Sequence, residues 1–201
     1  MSTEGSCGTI DKHEHKARRS KRSLTARTAG APTIANTKVL RVYRLAIGVD
    51  YNFFHIYGID GDMDKLKAFL AETETFLNEI YERDLGVHFE VVKNEQLIIT
   101  EEAKTPFDRH NVNYIMNNGT EAFNKLIGVD NYDIGVWLSL SEAGENVLGQ
   151  ALIGYVYKEP KGSAVVLRKN TTVIAHEIGH LFGGIHTHSI IVGGLCRSNQ
   201  R

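Results

Sequence analysis

Three histidines and a glutamate stand at short, fixed intervals near residue 180: His176-Glu177-Ile178-Gly179-His180, then Gly183 and His186. A helix advances about 1.5 Å and 100° per residue, so positions four apart share a face, roughly 6 Å apart along the axis. His176 and His180 can aim both imidazoles at one point if this stretch is helical. His186 reaches the same point only if the chain leaves the helix after His180 and turns back sharply. Gly183 is where such a turn costs least, because glycine accepts positive φ. The fold must therefore present a helix, a tight turn and a returning segment around one spot.

The residue types point to a metal. Neutral imidazoles suit Zn²⁺, with bonds of about 2.0–2.1 Å, and a catalytic zinc takes three protein ligands and leaves a fourth position open. His176, His180 and His186 supply three. Glu177 lies about 100° around the helix from His176, beside the ion, where a carboxylate can take a proton from a zinc-activated water instead of binding metal. Cobalt or copper would accept the same ligands in vitro. With nine histidines in the chain, a core or surface histidine cluster is the competing reading.

With 201 residues, 42% of them hydrophobic, the chain has material for one core-bearing domain, with or without an extra segment. A formal net charge of −1 gives no electrostatic footprint for nucleic acid. No apolar run is long enough to be a transmembrane segment. The start, Met1-Ser2-Thr3-Glu4-Gly5-Ser6-Cys7, lacks a signal peptide, as a trimmed piece of a secreted precursor also would. Cys7 and Cys196 are too few for a disulfide framework, although they could pair with each other. Residues 1–37 are polar, with a basic run Arg18-Arg19-Ser20-Lys21-Arg22 that reads as an anion site or, more commonly, a solvated linker. The domain boundary falls near Lys38, giving a folded domain over 38–201.

From there strand and helix signals alternate. Val39–Val49 reads as a strand, and Asp60-Gly61-Asp62 opens a long helix with Leu66, Phe69, Leu70, Leu77, Ile80 and Tyr81 on one face, ended by Gly86. Val87–Ile99 reads as a second strand interrupted at Lys93-Asn94-Glu95, and Thr120–Ile127 as a short helix. Ile134–Leu138 looks like a buried central strand, with further strands at Gly149–Tyr157 and Ala164–Leu167. Thr171 or Thr172 caps the helix that carries the histidines. The expected class is α/β, a sheet with helices packed on it.

His176, Glu177, His180, Gly183 and His186 match the long zinc motif of the metzincin clan of metalloendopeptidases. The wider run resembles the reprolysin-like branch (related to adamalysins), particularly its bacterial secreted members, through Val173-Ile174-Ala175, Thr187 and the Gly/Ala-rich segment Ala143–Gly154. The resemblance implies a metzincin-like N-terminal subdomain: a twisted, mostly parallel sheet with an antiparallel edge strand, a backing helix and an active-site helix. It also implies Zn²⁺ as cofactor, peptide or protein substrates, and a secreted or cell-surface location. The strand Gly149–Tyr157 is the candidate rim of the cleft, able to pair with an extended peptide, or else sheet structure only. Members carry a methionine turn beneath the zinc. Here Met1, Met63 and Met116 all lie upstream, so most of the C-terminal subdomain is expected to be missing, and with it full activity. Zymogens of this kind hold a Cys-Gly pair whose thiolate blocks the zinc. Cys7-Gly8, followed by basic residues, makes Cys7 a candidate inhibitory ligand and residues 1–37 the candidate end of a pro-segment, with an ordinary cysteine as the alternative.

The leading reading is a zinc metalloendopeptidase with Glu177 as general base. Its rivals are a weak or inactive zinc-bound member that binds peptides or partners, and a structural zinc site closed by Cys7 or Cys196. His13 and His15 read as solvated, and His55, His88, His110 and His188 as surface, packing or loop histidines. Trp137 reads as core.

Overall fold

The computed structural model describes residues 6–7, 39–56, 58–108, 111–140, 147–156 and 158–186. Its elements are β1 (Ser6–Cys7), β2 (Arg41–Val49), α1 (Tyr51–His55), α2 (Met63–Leu85), β3 (Val87–Val91), α3 (Val112–Ile127), β4 (Ile134–Leu138), β5 (Val147–Ala151), β6 (Ser163–Val166) and α4 (Thr171–Leu181). The strands form one sheet in the order β1-β5-β6-β4-β2-β3. β3, β2, β4 and β6 run parallel, β5 is antiparallel to β6, and β1 lies parallel along the outer side of β5. This is the mixed α/β, metzincin-like arrangement expected, with its antiparallel strand on the side away from β3.

Successive strand residues point to opposite faces, and both faces here are covered. Leu45, Ile47 and Val49 of β2 and Ile134, Val136 and Leu138 of β4 pack with Leu66, Phe69, Leu77 and Tyr81 of α2 and with Ile174, Ile178 and Leu181 of α4. The alternate residues Ala46, Trp137 and Val165 meet Ile115, Met116, Ala122 and Phe123 of α3 on the other side. Trp137, fully buried, stacks on Phe123 with ring centres 4.6 Å apart and donates its indole N–H to the Gly119 carbonyl at 3.1 Å. It is core, as its apolar surroundings in the sequence imply.

α2 is the backing helix. Asp62 caps it, its carboxylate accepting from the amides of Asp64 and Lys65, and Gly86 closes it in the left-handed conformation at φ 63°. Its side chains also close the free edge of β3. Asn78 Nδ2 donates to the Phe89 carbonyl at 2.9 Å while Asn78 Oδ1 accepts from the Phe89 amide at 2.7 Å. Glu74 Oε1 accepts from the Val91 amide at 2.9 Å. An asparagine amide thus presents to the strand the donor and acceptor that a neighbouring strand would have presented.

Several boundaries differ from the sequence expectation. The second strand ends at Val91; beyond it Glu95–Leu97 forms a 3-10 turn capped by Asn94, and Ile98 makes only an isolated bridge to Val49. α3 begins at Val112, because Asn111 caps the amides of Asn113 and Tyr114. The asparagines and Gly119 in its first turns have low helix propensity and hid them. The strand expected at Gly149–Tyr157 spans Val147–Ala151, since residues after Ala151 turn away to meet the end of α4. α4 is capped by Asn170, not by Thr171 or Thr172, through bonds from the amides of Thr172 and Val173. The basic run, the Lys38 boundary, Thr187, His188 and Cys196 lie outside the described residues.

Candidate metal centre

α4 packs its Ile174, Ile178 and Leu181 face on the sheet, and this fixes where its histidines project. His180 is buried, His186 half-buried and His176 exposed. The helix ends in an ordered way. The amides of Gly154 and Val156, just past β5, donate to the carbonyls of His180 and Leu181 at 2.9 and 3.1 Å. Carbonyls that a helix end leaves without partners are thereby satisfied by the continuation of β5. Gly183 then adopts φ +98°, its amide donating to the His180 carbonyl at 2.8 Å, and the chain doubles back. A side chain is strained at that φ, which is why the motif carries glycine at this position.

The turn brings His186 onto the other two. Ring centres of His176 and His180 are 4.6 Å apart, those of His180 and His186 4.7 Å, and those of His176 and His186 5.4 Å. The ligand nitrogens of all three lie within 4.8 Å of one another, and the Nε2 atoms of His176 and His180 are 3.0 Å apart. Two tetrahedral zinc ligands with ordinary bond lengths sit about 3.3 Å apart. The His176–His180 pair has that spacing, and with His186 beside it the cluster has the donor chemistry of a three-histidine zinc site.

One contact fixes a tautomer. His180 Nδ1 lies 2.7 Å from the Gly184 carbonyl, which can only accept, so Nδ1 carries the proton and Nε2 is left with its lone pair toward the cluster. His176 is also kept neutral. Desolvation of its ring, then the neighbouring charges of His180 and His186, push its pKa below the ordinary histidine range.

Glu177 is fully buried on the same helix and lies against β5, close to Gly149. Beside it an apolar recess of about 230 Å³ is lined by Leu148, Thr172, Val173, His176 and Glu177. β1 runs along β5 with Cys7 in register with Gly149, so the backbone of the N-terminal segment lies on the strand that borders the site. His55 and His88 lie elsewhere, His88 beside Glu82 and His55 beside Tyr51. Among the described residues the three motif histidines form the one metal-sized group of side chains.

Two residues with roles at this site stand outside the motif. Tyr81 of α2 donates its hydroxyl to the Ala175 carbonyl at 2.7 Å, tying the backing helix to the residue before His176. Nothing in the sequence marks that bond, since Tyr81 reads only as part of an apolar face. Gly149 is different: glycine inside a strand signals a close backbone approach, and its neighbour is the Glu177 carboxylate.

Sheet, returning turn and histidine cluster together define a zinc metallopeptidase, whose substrates are peptides or proteins. The model of the Metallo-peptidase family M12B, Reprolysin-like, matches residues 68–187, and the chain belongs to that family. No curated protein matches it. Among the described residues no helix is long and apolar enough to cross a membrane.

Proposed function

We propose that the chain hydrolyses internal peptide bonds, with His176, His180 and His186 holding zinc and Glu177 acting as general base. The observation that carries this reading is the convergence of the His176 and His180 Nε2 atoms to 3.0 Å on a helix that also carries Glu177, buried against Gly149 of β5. Zinc held there would polarise the peptide carbonyl and make water a stronger acid. The chain's own part is to bind, orient and move a proton. β5 receives an extended peptide along its outer edge by backbone pairing. Glu177 takes a proton from the attacking water and hands it to the departing amine nitrogen, leaving one carboxylate and one amine product. The recess lined by Leu148 and Val173 takes an apolar side chain next to the scissile bond.

Residues 1–37 act in this reading as the end of a pro-segment and Cys7 as an inhibitory zinc ligand, on a protein that works outside the cell or at its surface. Support comes from the register of Cys7 with Gly149, because β1 covers the edge that a substrate would use.

Glu177→Ala tests the central step. The variant is expected to keep the parent's zinc content while cleavage of a peptide library falls by several orders of magnitude, since the carboxylate moves a proton and holds no metal. In the parent, cleavage should favour an apolar residue at one side of the bond. Undiminished cleavage by the variant rejects the general-base role. A zinc-loaded parent that binds library peptides without cutting them would establish the non-catalytic, peptide-binding reading instead.

A further inference from the structure

Gly149 lies inside β5, where a side chain would ordinarily strengthen the strand, and it sits at a backbone conformation open to any residue. What excludes a side chain is its neighbour. A methyl group on Gly149 would stand 2.8 Å from both Cγ and Oε1 of Glu177, and 3.0 Å from Cδ. Carbon atoms in favourable contact are about 3.5–4.0 Å apart, so one partner would have to move. β5 has little freedom to do so, being paired with β6 through Gly149↔Val166 on one side and tied to the end of α4 by the amides of Gly154 and Val156. Glu177 is fully buried, and the space beside it is the apolar recess along Leu148 and Val173.

We propose that Gly149 is a positioning residue for the hydrolytic reaction: its missing side chain lets the Glu177 carboxylate stand against the peptide-docking strand, between the docked backbone and the zinc. The inference rests on the reading of Glu177 as general base and adds what sets that base's place. A side chain at 149 turns the carboxylate into the recess, away from the proton it must take, and leaves the three histidines untouched.

A cycle of four proteins tests this: the full chain, Gly149→Ala, Glu177→Ala and the double variant. Each is measured for zinc content, Tm and cleavage of a library-selected peptide. Gly149→Ala is expected to hold the parent's zinc, to lose kcat by about 100-fold, as a misplacement of about 1 Å does, and to change KM little. A fall in kcat with KM little changed separates a misplaced base from weaker peptide docking, which would raise KM instead. Its Tm should fall, and Glu177→Ala should restore it, because removing the carboxylate removes the collision. If Gly149→Ala does not fold, a folded double variant still supports the contact and an unfolded one overturns it. Parent-level kcat in Gly149→Ala overturns the proposal while leaving Glu177 as base. An unaffected Glu177→Ala overturns the general-base reading and the positioning role with it.

Discussion

The protons on the three imidazoles decide when the site can hold metal. His180 is poised for it by the Gly184 carbonyl, and His176 by a depressed pKa whose first cause is desolvation. A lowered folded-state pKa means that, below about pH 6.5, the folded chain binds fewer protons at His176 than the unfolded chain does. Stability of the metal-free protein therefore rises with pH through the window below that value and is lost as the solution is acidified. Zinc acts in the same direction, because each ligand must be neutral to bind. Thermal melts of the metal-free chain should show a Tm that rises up to about pH 6.5 and levels off above it, and His176→Ala should flatten the rise. Zinc content should collapse in His176→Ala and in His180→Ala. His186→Ala, which keeps two ligands, should bind more zinc than a variant lacking both helix histidines. A double helix variant with full zinc content would remove the cluster as the metal site.

Among the elements, α4 depends on neighbours that secondary-structure signals do not reveal. Tyr81 is pushed well above the usual tyrosine range by burial, so its hydroxyl stays a neutral donor to the Ala175 carbonyl throughout the working pH range. Tyr81→Phe should cost about 1 kcal/mol and lower Tm by roughly 2–4 °C. An unchanged Tm would show that the bond is dispensable. The elements legible in the sequence were those marked by local chemistry. α2 had Asp62 and Gly86 at its ends, β4 was an uninterrupted apolar run, and the histidine spacing could be satisfied only by a helix and a turn. α1, five residues long, has too few positions to show a period. The true limits of β5 depend on the end of α4, where Gly154 and Val156 are drawn off to cap carbonyls. The Asn170 cap went unseen because two threonines beside it carry the same signal. Gly149 stood at the start of an expected strand; that it lies inside β5 against Glu177 could be known only from the folded arrangement.

At the scale of the whole molecule, two hydrophobic layers on one sheet hold the site in place, and the N-terminal segment reaches it from outside the core. β1 covers the outer side of β5, the strand proposed to dock a peptide, so in that reading the segment and a substrate compete for one edge. With Cys7 as an additional zinc ligand, Cys7→Ser should raise cleavage by the full chain and hasten release of the segment. Proteolytic nicking within the basic run should raise it further. Equal activity of the parent and Cys7→Ser would leave Cys7 an ordinary cysteine. The sheet's two borders are treated unequally: Asn78 and Glu74 occupy the hydrogen-bonding groups of Phe89 and Val91 on β3, whereas β5 accepts another strand. Fibril-like growth by edge-to-edge stacking requires each copy to be sticky at both borders. With one border sealed, a visiting strand at β5 ends the sheet. The chain can therefore keep an edge that takes a further strand, filled here by β1, without that edge becoming a seed for its own polymerisation.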